Sequence, residues 1–145
     1  MRIVKVLLSG YALAALAVAP VRAEDEPKGY VCSFRTGTSW SYDGGNFKPA
    51  TAEPLAFEIA AIDLDKQSAQ LVAAGGDNTP SAALKIVRAI NANHFLEVVN
   101  EGFLNLTTIY DKDATSGVYP AVHSRHFGVL GQPVFAQYAG TCTAK

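Results

Sequence analysis

The residues whose types and spacing could do chemistry are concentrated in one stretch, Tyr119-Pro120-Ala121-Val122-His123-Ser124-Arg125-His126-Phe127. On a β-strand successive side chains point to opposite faces. His123 and Arg125 therefore share one face, and Ser124 and His126 share the other. His94 is the only other histidine. A tetrahedral zinc site built on histidine would need all three to converge, and a regular strand aims His123 and His126 apart unless a bulge re-aims one. Arg125 has three readings. It can clamp a strand-borne carboxylate (Glu58, Asp63 or Glu97), since a buried arginine needs such a partner. It can bind an anion inside or at the mouth of a barrel, or it can point outward into solvent. Ser124 lies next to His123, but adjacent strand residues diverge, and no Gly-x-Ser-x-Gly elbow occurs. Nothing singles out a pair of carboxylates for glycoside hydrolysis. The sequence thus yields no catalytic residue, no metal set and no cofactor; His123, Arg125, His126 and Trp40 are the candidate ligand-binding residues. Trp40 enters with Tyr42 and Phe47 as an aromatic hairpin that packs in the core, lids a barrel end, or forms a stacking platform. Asn105-Leu106-Thr107 fits a glycosylation sequon but falls in an expected strand rather than a loop.

The elements that would position these residues are preceded by a leader. Arg2 and Lys5 form a short positive region, Val6 to Ala19 is almost wholly apolar, and Pro20 ends the run. Val21 and Ala23 are small residues placed for signal-peptidase cleavage between Ala23 and Glu24. About 14 apolar residues are few for a bilayer-spanning helix, so residues 1–23 are read as a signal peptide and 24–145 as one domain with no integral membrane span. The chain has 12 basic and 13 acidic residues. The leader holds Arg2, Lys5, Arg22 and no acidic residue, so its removal leaves 9 basic against 13 acidic residues, a net charge of −4. That balance speaks against nucleic acid as a partner, because phosphate contacts need a basic surface.

Cys32 and Cys142 are the only cysteines. In an oxidising compartment the simplest outcome is one disulfide; buried free thiols and an intermolecular bridge are the alternatives. The loop closed would hold about 110 residues and contribute roughly 4–5 kcal/mol through chain entropy, often less in practice. Short alternating segments recur between turn signals. Tyr30–Thr36 is a strand, and Asp43-Gly44-Gly45-Asn46 is a hairpin turn between Ser39–Tyr42 and Phe47. Pro49–Pro54 reads as a loop. In Leu55–Leu64, Leu55, Phe57, Ile59 and Ala61 share a face. Ala69–Ala73, His94–Val99, Phe103–Tyr110, Val118–Phe127 and Val134–Cys142 follow as strands. The segment 81–90 fits either a helix capped by Thr79 and Pro80 or a strand with Leu84, Ile86 and Ile90 on one face; strand is preferred because a helix would stand alone.

The expected fold is all-β, an up-and-down antiparallel barrel of about eight strands, with a β-sandwich as the alternative. Cys32 shares a face with Tyr30 and Phe34, and Cys142 with Val134, Ala136 and Tyr138. A bridge between first and last strands brings them within about 7 Å, which is what barrel closure requires. A porin-like membrane barrel fits poorly. Strands are shorter than the roughly 9–11 residues of a span, and Glu58, Asn105, Arg125 and Gln137 interrupt the faces irregularly.

Phe57-Glu58-Ile59 through Asp63, His94-Phe95-Leu96-Glu97, Glu101 through Tyr110, Ala121 through His126, and Gln137 through Cys142 resemble a group of small exported proteins of Gram-negative, rhizobia-like bacteria with no assigned function. The resemblance covers most of the mature chain and implies a periplasmic or secreted location without an activity. In size and layout the chain is also similar to calycins, the lipocalin and avidin type barrels. It departs from the Gly-x-Trp opening of lipocalins, having Gly37-Thr38-Ser39-Trp40, so ligand carriage does not come with the likeness. Three functions are open. The first is a binding module of the bacterial envelope that holds a small molecule in a barrel. The second is a periplasmic inhibitor or interaction protein, with an exposed apolar cluster around Trp40 and Phe47 and an envelope protein as partner. The third is a metal or enzyme site that gathers at least two of His94, His123, His126 and Arg125 in one cleft.

Overall fold

A computed structural model describes residues 26–75, 79–99, 102–127 and 132–145; the expected cleavage point at Ala23 and Glu24 lies outside them. Nine strands follow in chain order: β1 (Tyr30–Asp43), β2 (Asn46–Thr51), β3 (Leu55–Asp63), β4 (Ser68–Ala73), β5 (Pro80–Arg88), β6 (Ala92–Val99), β7 (Phe103–Tyr110), β8 (Tyr119–Phe127) and β9 (Val134–Ala144). Every pairing is antiparallel, and β3 through β9 pair consecutively. β1 closes the sheet by pairing with both β3 and β9. The result is an eight-stranded up-and-down barrel with β2 as an extra strand, so the barrel expectation holds and the sandwich does not. Segment 81–90 resolves as a strand. Leu84 and Ile86 are buried and Lys85 is exposed, while Ile90 lies beyond β5 and is fully exposed.

β1 is one 14-residue strand rather than the two pieces expected. Its first half, Tyr30 to Phe34, pairs with β3. From Thr38 to Asp43 it pairs instead with β2, through a turn in which Gly44 and Gly45 both have positive φ (57° and 87°), the geometry a two-residue hairpin turn demands. β2 includes Pro49, which the sequence placed in a loop. Proline cannot donate to a ladder, but an edge strand leaves its outward side unpaired.

A bulge then decides which side chains face inward. Between Ser33 and Thr36 β1 advances three residues while β9 moves two, from Thr141 to Ala139. The intervening Gly140 sits so close that an added Cβ would lie 2.2 Å from the Ser33 carbonyl oxygen. The extra residue reverses the parity of β1. Tyr30, Cys32 and Phe34 point in, but beyond the bulge Gly37 and Ser39 take the inward positions and Trp40 and Tyr42 the outward ones. A second irregularity falls between Ala60 and Asp63. There Ala61 has φ 50°, and Ile62 takes the buried place that unbroken alternation gave to Ala61.

Cys32 and Cys142 are directly opposed across the closing seam, with Cα atoms 4.0 Å apart, and form the disulfide. The core fills one end of the barrel. Tyr30, Cys32, Ile59, Ile86, Ile109, Ala121 and Cys142 pack there, with Tyr30 edge-on to Tyr119 and Phe95. Burial pushes the Tyr30 hydroxyl up to about 12, with smaller contributions from Tyr119, Glu26 and Asp111.

Candidate functional site

At the other end the interior is not filled. β3, β5, β7 and β9 begin there, and β4, β6 and β8 end there. The register aligns two inward rows across these strands. The outer row runs Glu97, Asn105, Arg125, Ala136 and Ser39; the inner row runs Phe95, Thr107, His123, Tyr138 and Gly37. Glu97, Asn105 and Arg125 of the outer row and Phe95, Thr107 and His123 of the inner row line a cup of about 270 Å³ together with Leu55, Phe57, Leu71, Val72, Ala73, Leu84 and Ser81. Its walls are chiefly aliphatic and aromatic, and its polar side chains among the described residues are the Glu97–Asn105–Arg125 row, the Thr107–His123 pair and Ser81, whose hydroxyl donates to the Leu71 carbonyl at 3.1 Å. Such a container, apolar with a few convergent polar groups, is the usual form of a small-molecule site.

His123 forms part of the floor. Its ring lies 5.1 Å from the Phe57 ring, 5.6 Å from Phe34 and 5.9 Å from Tyr138. Nδ1 is 2.9 Å from the Thr107 hydroxyl. Burial among these rings, and then the nearby Arg125 charge, lower its pKa to about 4, so the imidazole is neutral at pH 7 and adds no charge to the cup.

Arg125 behaves as none of the clamp readings required. Glu58 accepts from Lys145 at 2.6 Å, Asp63 from Lys66 at 2.8 Å, and Glu97 from Asn105 at 2.7 Å. Among the described residues Arg125 has no carboxylate within salt-bridge distance and no hydrogen-bond partner. Its guanidinium carbon sits 5.0 Å from the centre of the Phe127 ring. This cation–π contact occupies one face of the group and leaves its N–H edges available. The row holds a second unmet group. Asn105 Nδ2 donates to Glu97 Oε2, and since a carboxylate can only accept, this bond fixes the amide orientation. The remaining atom, Oδ1, is buried without a partner, a situation that costs about 1–3 kcal/mol. A cation without an anion and an acceptor without a donor are thus cross-strand neighbours at one opening.

The other candidates lie outside the barrel. His126 pairs across β8–β9 with Phe135, which pairs with Trp40. The Trp40 and Phe135 rings stack at 4.8 Å and 13°, and the Phe135 and His126 rings at 6.5 Å and 18°. Phe47 meets Phe135 edge-on, and Tyr42 meets Phe47 likewise. Tyr42 and Phe47 remain 38% and 48% exposed. The ladder ties the β1–β2 hairpin to β9 and β8; Trp40, on the outward side of β1, is no lid over the barrel and lines a shallow outer groove with Val122 and Gln137. His94 also faces outward, 2.8 Å from the Thr108 hydroxyl. The three histidines therefore do not converge, and among the described residues no group of three or more His, Cys, Asp or Glu could hold a metal ion.

Of the four residues chosen from sequence, His123 and Arg125 line the cup, and His126 and Trp40 do not. The sequence marks Asn105 as part of a sequon and as an irregular polar interruption, and Glu97 as a clamp partner for Arg125. Their signal was present, since Asn105 and Thr107 repeat on one face of β7 as His123 and Arg125 do on β8, but only the register between those strands brings the two polar pairs together. No protein-family model matches the chain, and no curated protein is significantly similar to it. Among the described residues no helix is long and apolar enough to cross a membrane.

Proposed function

We propose that this chain is an exported, non-enzymatic binding module of the bacterial envelope, and that it holds a small amphipathic anion in the cup. The observation that carries this reading is Arg125, a cation with no carboxylate partner among the described residues at the mouth of an apolar-walled cavity. Burying a charge without a partner is unfavourable, so an arginine kept there is best accounted for by a partner that arrives with the ligand. Its planar fork suits carboxylate and phosphate groups. Size narrows the choice. An apolar cavity of about 150 Å³ takes benzene, so 270 Å³ suits a molecule of roughly ten heavy atoms, such as a short-chain or aromatic carboxylic acid. Export is supported by the apolar N-terminal run after Arg2 and Lys5 and by the disulfide, which persists in oxidising compartments. A catalytic reading has less behind it. His123 is neutral, is held by a threonine rather than a carboxylate, and sits in a wall of rings.

Native mass spectrometry of protein purified gently from its own host tests the proposal. The expected result is extra mass that leaves on denaturation and is missing from Arg125→Met prepared in the same way. Bare protein from the host, together with no binding of short-chain or aromatic carboxylates to the purified domain, would overturn it and turn attention to protein partners.

A further inference from the structure

We infer that the head group held at the mouth is zwitterionic: a carboxylate bound by Arg125 beside an ammonium bound by Asn105 Oδ1 and Glu97, as in a free α-amino acid with an apolar side chain. This rests on the carriage reading above and specifies its ligand. The first reason is the hydrogen-bond inventory. Arg125 has only donors to offer, and the free atom of Asn105 can only accept, because its amide nitrogen is committed to Glu97. A simple carboxylate satisfies Arg125 and leaves Asn105 Oδ1 stranded. Oδ1 lies out of reach of solvent, so a ligand that satisfies both brings an acceptor and an N–H donor side by side and draws the Asn105 amide toward the opening.

Charge is the second reason. Among the described residues Arg125 and Glu97 are the charged side chains lining the cup, and His123 is neutral. A monoanion would leave the assembled site with a net negative charge beside Glu97; a zwitterion leaves it neutral, and unpaired charge in a partly enclosed site is what proteins avoid. Span is the third. Glu97 and Arg125 stand on opposite sides of Asn105, two strand spacings or about 10 Å apart at the backbone. Inside that width fit an ammonium and a carboxylate on one carbon, with a charge-assisted hydrogen bond of about 2.8 Å at each end. The side chain of such a ligand then points into the apolar wall formed by Phe57, Leu71, Leu84 and Phe95.

The test compares three molecules of one skeleton on the intact, disulfide-bonded domain: leucine, 4-methylpentanoate, which lacks the amine, and 3-methylbutylamine, which lacks the carboxylate. Binding is read by calorimetry or by NMR shifts of the Asn105 side-chain amide. Leucine is expected to bind about tenfold or more tighter than either analogue, the range that one charge-assisted hydrogen bond supplies. Asn105→Leu and Glu97→Gln should each remove most of that advantage, and Glu97→Gln should at the same time raise the affinity for 4-methylpentanoate, whose charge Glu97 opposes. If 4-methylpentanoate binds as well as leucine, the zwitterion inference fails while anion carriage stands. If none of the three binds, the inference fails as well, and the host-purified protein then decides whether carriage fails with it. The ligand series on the unaltered protein gives this answer even where a variant does not fold.

Discussion

The two ends of this barrel are built from the same strands and do opposite things. At the end holding Tyr30, Ile59, Ile109 and Ala121, inward side chains are apolar and meet one another, and the disulfide crosses the closing seam among them. At the other end the inward positions of β6, β7 and β8 carry Glu97, Asn105 and Arg125, and the interior opens into a cup. The packed end has a crevice of about 280 Å³ beside Tyr30 and Tyr119, yet Cys32, Ile59 and Ile86 are fully buried there. The open end keeps a cation and a buried acceptor that have no partner among the described residues, and both cost stability. A fold under selection for stability alone would have filled those positions with aliphatic side chains, and that contrast is the ground of the carriage proposal.

The sharpest way to break the contrast is at the packed end. Ile59 is fully buried, and Ile59→Ala should lower the unfolding free energy by about 2–5 kcal/mol, the cost of lost contacts plus a cavity, in urea titrations with the disulfide intact. If the loss were below 1 kcal/mol, that end would not be the structural anchor.

Next in size is the pH response of the boundary between the ends. The folded pKa of His123 is lowered to about 4 from an ordinary 6.5. Between those values the unfolded chain binds the proton and the folded chain does not, so stability is full above about pH 6.5 and falls as the pH drops toward 4. The loss at pH 4 is about 3 kcal/mol from this residue. His123→Gln should flatten that part of the stability profile, and an unchanged slope would show that the imidazole is not held neutral.

A smaller effect is expected outside the barrel, where Trp40 stacks on Phe135. Trp40→Ala should cost about 1–2 kcal/mol and increase hydrogen exchange in the β1–β2 hairpin, while leaving ligand affinity in the cup intact. A loss of affinity would mean that the exterior ladder shapes the mouth.

The smallest stability change belongs to the most informative substitution. Breaking a buried ion pair costs about 3–5 kcal/mol, but among the described residues Arg125 has no pair to break. Arg125→Met should leave stability unchanged within about 0.5 kcal/mol or raise it slightly, and should abolish ligand binding. A loss of several kcal/mol would instead reveal a structural clamp.

The sequence by itself determined much of this molecule. Period-two alternation is local, so it was enough to place most of the strands and to put Leu84 and Ile86 opposite Lys85, but not to join β1 into one strand or to find β2 around Pro49. The Asp43-Gly44-Gly45-Asn46 turn was legible because only a few residue types accept positive φ there. The two cysteines on the apolar faces of the first and last strands favoured closure, although a sandwich also satisfies such a bridge. What the sequence did not contain was anything that depends on register between strands or on a break in alternation. The bulge opposite Gly140 arises from contact between segments more than 100 residues apart in sequence, and it alone turns Trp40 outward. Whether Arg125 met a carboxylate depended on where Glu58, Asp63 and Glu97 fell around a closed cylinder, and each found another partner. Tertiary structure decided the site because a binding row is made by neighbours across strands, and cross-strand neighbours are fixed only once the sheet has closed.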